Sequence, residues 1–191
     1  MAEYNQRHSK ATSILALIPA YNEAERISAV ITGTRALLPV LVVDDGSTDD
    51  TAAISSALGA EVLRQLPNQG KGAALLAGFR YALEMGYQAV VTLDADGQHD
   101  PQEIPLFIHA FEEGADLVIG MRDFKKMPFP RNISNTIGTW LFSWALGQYC
   151  PDNQSGYRLH SRRMIETSLQ SAETNFEFEV EIITRCVEQG Y

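Results

Sequence analysis

Residues 90–100 read VVTLDADGQHD, a short β-branched run that leads directly into two aspartates and a glycine. The apolar run at residues 89–93 predicts a buried strand. Asp94 and Asp96 follow the end of that strand, and Gly97 lets the chain turn away behind them. Carboxylate oxygens are the ligands that Mg²⁺ and Mn²⁺ prefer, and such ions are usually completed by water and substrate phosphates. The stretch therefore predicts a divalent-cation site at the end of a strand.

The same alternation of strand and helix patterns runs through the first 120 residues. Four further apolar runs predict strands at residues 13–18, 40–43, 61–64 and 116–119. Helical patterns lie between them, from a cap at Asn22 to residue 38, from Asp49 or Asp50 to residue 58, over residues 71–85, and from Asp100 to a stop at Gly114. This rhythm is typical of βαβ units. We expect an α/β fold with five strands and four helices by residue 120, and ligand binding at the carboxyl ends of the strands.

The rhythm changes after Gly120. Residues 121–132 carry four cations among Met, Phe and Pro, which is typical of a basic loop. A helical pattern at residues 132–147 contains two tryptophans, so this helix packs in the core, forms a dimer face or lies in a lipid interface. A last helix is predicted from about residue 176 to 189.

Length and composition limit the possible classes of protein. The 191 residues suit one domain at residues 13–191, preceded by a tail at 1–12 and divided into halves at 13–120 and 121–191. Lys and Arg number 15 against 24 Asp and Glu, and the net charge of −9 argues against general nucleic-acid binding. Without a signal peptide or a membrane-length apolar stretch, and with two cysteines that lack metal-site spacing, we expect a cytoplasmic protein.

The acidic residues at strand ends have a second interpretation as helix caps. Asp49, Asp50 and Asp100 suit that role. Asp94 and Asp96 suit it less well, because Asp100 already occupies the capping position of the next helix. Asp44 and Asp45 form a second acidic cluster after residues 40–43, and His99 is interpreted as a structural neighbour of the cap rather than an acid or base.

Two groups of basic residues indicate an anionic ligand. Lys71 and Gly70 stand at a predicted helix start, where free N–H groups and the helix dipole favour anions. The segment is not a Walker loop, because Gly72 stands where Ser or Thr is required. Arginine forks match phosphate oxygens, although a solvated surface is the alternative for each one. The cations concentrated in the second half are Arg122, Lys125, Lys126, Arg131, Arg158, Arg162 and Arg163.

Five segments together resemble family 2 glycosyltransferases, and the branch of dolichol-phosphate mannosyltransferases and polyprenyl-phosphate sugar synthases in particular. They are IPAYNEA at 18–24, VVDDGSTDDT at 42–51, NQGKGAALLAGF at 68–79, DADGQHDP at 94–101 and DNQSGYRLHSR at 152–162. The resemblance covers the chain from Ser13 onward. It implies a GT-A fold, with a Rossmann-like, mostly parallel central sheet and helices on both faces. It also implies an inverting hexosyltransferase that uses Mg²⁺ or Mn²⁺ and a donor of the GDP-mannose or UDP-glucose type.

The resemblance also implies roles for individual residues. Those that look like contacts to the donor base and ribose are Pro19, Tyr21, Glu23 and Asp45, with Asp44 close by. Those that look like the metal, diphosphate and sugar side of the site are Asp94, Asp96 and Gln98. Arg122 and Arg131 look like clamps for an acceptor phosphate. The motif that closes the active site contains Asp152, Gln154, Ser155 and Arg158.

The sequence leaves two kinds of acceptor for the sugar as alternatives. A polyprenyl or dolichyl phosphate is already ionised, so it would attack the sugar without a general base, positioned by Arg122, Arg131 and Arg158. A sugar hydroxyl would need a base, for which Asp152 is the candidate. With a lipid acceptor, the protein would work at the cytoplasmic face of a membrane. The sequence does not indicate an oligomeric state.

Three other classes compete with this interpretation. A phosphatase could use the DADG motif, but Gln98 stands where Thr is expected and the motif follows the fourth strand instead of the first. A receiver-like domain would not explain the arginines of the second half. A non-catalytic module that binds nucleotide sugars is the third. Family members usually continue beyond a helix such as the one ending near Gln189, so this chain is expected to be a minimal member or a piece of a longer protein.

Overall fold

The computed structural model describes residues 13–121, 152–171 and 177–191, together with residues 143, 147, 149 and 150. The strands in these ranges are β1 (Ile14–Ala20), β2 (Val40–Asp44), β3 (Glu61–Arg64), β4 (Ala89–Thr92), β5 (Leu117–Ile119) and β6 (Arg158–Ser161). The helices are α1 (Ile27–Arg35), α2 (Thr51–Ala57), α3 (Lys71–Glu84), α4 (Ile104–Glu112), α5 (Arg162–Ser168) and α6 (Glu177–Glu188). A 3₁₀ turn at Pro101–Glu103 leads into α4. None of the helices in the described ranges is both long and apolar enough to span a bilayer.

The six strands form one sheet in the order β3-β2-β1-β4-β6-β5. Strands β1 to β4 pair in parallel, whereas β6 runs antiparallel to both β4 and β5. The start of β6 therefore lies at the same edge as the ends of β1, β2 and β4. The residues that these strands contribute to the candidate site therefore lie at that edge of the sheet.

Helices cover both faces of the sheet. Alternate residues of β1 point to opposite sides, and each side packs against a different core. Ile14, Ala16 and Ile18 face a core shared with α1 and α4. Leu15 and Leu17 face a second core, shared with α3, α5 and α6. The mostly parallel α/β sheet predicted from the sequence is thereby confirmed.

The predicted order of five strands and four helices before residue 120 is also confirmed. One boundary is wrong: α1 begins at Ile27, well after the cap predicted at Asn22. Asn22 has a φ of +55°, and its side chain accepts a hydrogen bond from the next loop instead of capping a helix. The basic loop and the helix predicted at residues 121–147 fall almost wholly outside the described residues.

The second half contains two elements that were not predicted, β6 and α5. The four residues of β6 are Arg158, Leu159, His160 and Ser161, and all four are buried. Three of them are polar, so the segment has no apolar run to indicate a strand. Ser161 then caps α5 by accepting a hydrogen bond from the Met164 N–H.

His160 makes the stability of the fold depend on pH. It is 2% exposed, its ring lies 5.0 Å from that of Phe79, and its Nδ1 has no hydrogen-bond partner among the residues described. Burial, together with the nearby Arg158 charge, lowers its pKa from 6.5 to about 3. Below pH 6.5 the unfolded histidine therefore binds a proton that the folded one refuses.

We expect the free energy of unfolding to fall by about 2 kcal/mol as the pH drops from neutral to about 5, before ordinary carboxylates titrate. Urea denaturation at both pH values measures this loss. His160→Leu should show little of it, whereas His109→Gln, which changes an exposed histidine, should retain it. An equal loss in the His160→Leu protein would contradict the assignment.

Candidate active site

The loops that follow β1 and β2 are fastened to each other by hydrogen bonds. The Asn22 N–H donates to the Ser47 hydroxyl and the Glu23 N–H to the Thr51 hydroxyl, each at 2.9 Å. In the opposite direction, the Thr48 N–H donates to Asn22 Oδ1 at 2.9 Å. Small polar side chains thus satisfy the backbone of two loops that have no regular structure. The two loops form one continuous wall of the site.

The aspartates at the end of β2 are buried and support different loops. Asp44 accepts from Arg64 Nε at 2.8 Å and is fully buried, so it does not reach the site. Asp45 accepts from the Gln69 and Gly70 N–H groups at 2.8 and 2.7 Å. Asp45 therefore fixes the turn that leads into α3 and places the first residue of that helix.

An open cleft of about 330 Å³ lies at the carboxyl ends of β1, β2 and β4. This volume is typical of a small-molecule site. The lining residues that the sequence had singled out are Pro19, Tyr21, Glu23, Asp45, Lys71, Asp94 and Asp96. The side chains proposed as donor contacts and the two aspartates of the DADG motif therefore share one cavity.

Lys71 forms ion pairs with two carboxylates, Asp94 and Glu179. Its Nζ lies 2.6 Å from Asp94 Oδ1 and 3.0 Å from Oε1 of Glu179, a residue of α6. Burial alone would lower the pKa of the ammonium, but the charges of Glu179 and Asp94 outweigh it and the pKa is raised. Lys71 is therefore protonated at neutral pH and partly neutralises Asp94.

The donor set suits a hard divalent cation that binds together with its substrate. No group of three or more His, Cys, Asp or Glu side chains able to hold a metal occurs among the described residues. Mg²⁺ and Mn²⁺ nevertheless bind through one or two carboxylates when water and phosphate oxygens complete the coordination. Asp94 and Asp96 line the same cleft, and Asp96 is oriented by the Gln98 N–H, which donates to its Oδ1 at 2.9 Å. The two carboxylates fit such a site.

Gly156, two residues before β6, packs closely against the ion pair of Asp94 and Lys71. A Cβ at this position would lie 2.7 and 2.8 Å from the two carboxylate oxygens of Asp94 and 2.8 Å from Lys71 Nζ. The backbone cannot retreat easily, because the Thr92 hydroxyl donates to the Gly156 carbonyl at 2.8 Å. Only glycine allows the chain to pass this close to the ion pair.

His99 contacts the backbone of Asp94. Its Nδ1 accepts the Asp94 N–H at 3.2 Å, and its ring stacks on Tyr157 with 4.9 Å between centroids. The Tyr157 hydroxyl in turn donates to the Asp100 carbonyl at 2.9 Å. His99 Nε2 also lies 3.8 Å from Asp94 Oδ2, and His99 does not line the cleft, so its structural role stays a prediction.

Arg158 has a different role from the predicted one. It is 1% exposed, and its guanidinium donates to the carbonyls of Asn153, Ser155 and Glu179 at 3.0, 2.7 and 2.5 Å. A guanidinium that is buried, bonded to three carbonyls and absent from the cleft lining is not placed to clamp an acceptor phosphate there. Arg158 instead fixes the loop before β6 and the first turn of α6.

Of the remaining predicted residues, those that the structure describes do not line the cleft. Asp152 is 1% exposed, accepts from the Gln154 N–H and does not line the cavity. Gln98 is exposed and does not line it either. Arg162 and Arg163 pair with Glu166 and Asp116, so they do not belong to an anion site. The basic residues that lie outside the described ranges are Arg122, Lys125, Lys126 and Arg131.

Two residues of the site had no predicted role. Glu179 lies in an amphipathic helix with several glutamates, and the sequence does not indicate which of them contacts the site. Gly156 stood within the DNQSGYRLHSR motif, but a close backbone approach leaves no mark on a single sequence.

Comparison with known proteins identifies the family. The model of the family described as Glycosyl transferase family 2 matches residues 16–170. A polyprenol monophosphomannose synthase from Mycolicibacterium smegmatis is 32% identical, covering 93% of this chain and 73% of that protein. An undecaprenyl-phosphate mannosyltransferase from Micrococcus luteus is 33% identical, covering 93% and 79%.

Solved structures agree on the fold. Glucosyl-3-phosphoglycerate synthase from Mycobacterium tuberculosis matches with a TM-score of 0.78 at 23% identity, over 98% of this chain and 69% of that one. Such structural neighbours are glycosyltransferases with the GT-A fold. The chain described here belongs to glycosyl transferase family 2.

Proposed function

We propose that this glycosyltransferase moves a hexose from a nucleoside-diphosphate sugar to a polyprenyl-type lipid phosphate, with a divalent cation at Asp94 and Asp96. The observation that carries the proposal is the cleft in which both carboxylates meet the side chains assigned to the donor. The two relatives at 32% and 33% identity have names that specify polyprenyl phosphates or their mannose products. The Mycobacterium tuberculosis structure was solved with Mn²⁺ and UDP-glucose.

The nucleotide-sugar donor would lie along the cleft. Pro19, Tyr21, Glu23 and Asp45 line it, and we assign them to the base and ribose. Lys71 adds a cation for the diphosphate. We assign Asp44 no direct contact, because its pairing with Arg64 serves the loop around Ser47.

Charge stabilisation is the main contribution of the site to the reaction. A divalent cation, when bound, would neutralise the diphosphate as it leaves the sugar. Asp94 and Asp96 would hold this charge in place before the reaction begins, so little reorganisation would be needed. Unit charges about 4 Å apart interact by roughly 4 kcal/mol at an effective dielectric constant near 20. That energy corresponds to about three orders of magnitude in rate if it is realised only in the transition state.

The position of Asp152 argues against the sugar-hydroxyl route in which Asp152 is the base. A hydroxyl acceptor needs a carboxylate base within hydrogen-bond reach, and Asp152 is buried away from the cleft lining. A phosphate oxygen is already ionised and attacks the anomeric carbon unaided. The new O–C bond forms as the bond to the leaving diphosphate breaks, which inverts the carbon. We assign the acceptor phosphate to Arg122 and Arg131, and such an acceptor would place the protein at the cytoplasmic face of a membrane.

A transfer assay tests this proposal. The protein is incubated with radiolabelled GDP-mannose or UDP-glucose, undecaprenyl phosphate and MnCl₂ in detergent, and label in the extracted lipid is counted. We expect labelled lipid with at least one donor, and none when undecaprenol, which lacks the phosphate, replaces the acceptor. Donor binding without transfer would favour a non-catalytic module. Release of phosphate from a simple phosphoester would favour a phosphatase.

A further inference from the structure

Lys71 has two carboxylate partners that come from different parts of the chain. Asp94 follows β4, whereas Glu179 lies in the first turn of α6, beyond residues 16–170 that the family model matches. The ammonium bridges them at 2.6 and 3.0 Å. One cation is therefore shared between a carboxylate of the proposed metal site and a carboxylate outside it.

Glu179 is held firmly in this position. The residue is 7% exposed, and its carbonyl accepts the 2.5 Å hydrogen bond from Arg158, which is itself 1% exposed. The first turn of a helix also favours a negative charge. Glu179 does not line the cleft as Asp94 does, so it can keep the ammonium without occupying the space proposed for the donor.

The contact between Lys71 and Asp94 must be given up, at least in part, if Asp94 is to hold a divalent cation. We infer that Glu179 is a positioning residue that retains Lys71 in the cleft when Asp94 releases it. Lys71 is then the resident counter-ion of Asp94 in the free protein and a cation beside the diphosphate in the loaded one. This inference rests on the proposed function.

The two partners have opposite effects on cation binding. Lys71→Met removes the charge that competes for Asp94, so Mn²⁺ should bind about fivefold more tightly. Glu179→Gln leaves Asp94 as the remaining carboxylate partner of Lys71, so Mn²⁺ should bind about fivefold more weakly. Because Glu179 acts through Lys71, adding Glu179→Gln to Lys71→Met should change the affinity by less than about twofold.

The experiment titrates Mn²⁺ alone into each protein and measures free Mn²⁺ by electron paramagnetic resonance, so it requires no catalysis. Glu181→Gln is the matched control: it makes the same charge change on the same helix but in a pair with Arg185, and it should leave the affinity unchanged. Thermal melts check that each variant is folded. The double variant carries neither charge, so it also covers a Lys71→Met protein that fails to fold with Glu179 unpaired.

The outcomes separate the two proposals. If the wild-type protein binds no Mn²⁺, the metal part of the proposed function fails and the inference fails with it. If the wild type binds Mn²⁺ but Glu179→Gln has no effect, the inference alone is wrong. It is also wrong if Glu179→Gln weakens binding equally with and without Lys71, because Glu179 then acts directly through space.

Discussion

Asp96→Asn is expected to lower the rate of sugar transfer about a thousandfold while the protein stays folded. Asparagine has the same shape and can still accept the Gln98 N–H, so the orientation of the side chain is retained. What it removes is the negative charge that would hold a divalent cation against the diphosphate. The loss should appear in turnover measured at saturating donor and Mn²⁺, and it should not be recovered by adding more Mn²⁺.

Asp50→Asn is the matched control for this prediction. Asp50 is an exposed aspartate in the neighbouring loop, precedes α2 without a side-chain hydrogen bond and does not line the cleft. Its replacement should leave turnover unchanged. If Asp96→Asn retained turnover close to that of Asp50→Asn, the acidic pair would have no electrostatic role in the reaction.

Gly156→Ala is expected to lower turnover about a hundredfold, which is the cost of displacing a reacting group by roughly 1 Å. The new Cβ would lie within 2.8 Å of Asp94 Oδ1, and also within 2.8 Å of Lys71 Nζ. The hydrogen bond from the Thr92 hydroxyl to the Gly156 carbonyl holds the backbone in place, so the side chains of Asp94 and Lys71 have to move. Turnover and the melting temperature should be measured on the same preparation.

Gly86→Ala separates this effect from a general loss of stability. Gly86 has a φ of +83°, which strains any other residue, but a Cβ there meets nothing within 4 Å. This variant should melt at a lower temperature and keep its turnover, whereas Gly156→Ala should lose turnover with a smaller change in melting. Full activity in Gly156→Ala would mean that turnover does not depend on the positions of Asp94 and Lys71 beside Gly156.

The central strands β1, β2 and β4 could be predicted because their neighbours bury them on both faces. In β2, all five residues are buried, and four of them are Val or Leu, so the apolar run alone indicates the strand. In β6, Arg158 and His160 are equally buried, but their burial depends on carbonyls and rings supplied from elsewhere in the chain. A polar strand of this kind cannot be distinguished from a loop by composition.

The candidate site also contains residues that could be predicted from the sequence and residues that could not. Asp45, Asp94 and Asp96 could be placed together because parallel strands end at one edge of a sheet. The contribution of α6 could not, since Glu179 reaches Lys71 only through packing between residues far apart in the sequence. The role of Arg158 was mistaken for the same reason: an arginine in a motif looks like a phosphate ligand until its three carbonyl partners are seen.

Calorimetric titration of the wild-type protein with UDP and with GDP, in the presence and absence of Mn²⁺, is the most direct test of the acidic pair. We predict that at least one of the two nucleotides binds about tenfold or more tightly with Mn²⁺, and that Asp96→Asn abolishes this gain. Equal affinity with and without Mn²⁺ in the wild type, or a gain that survives in Asp96→Asn, would contradict a divalent cation held by Asp94 and Asp96.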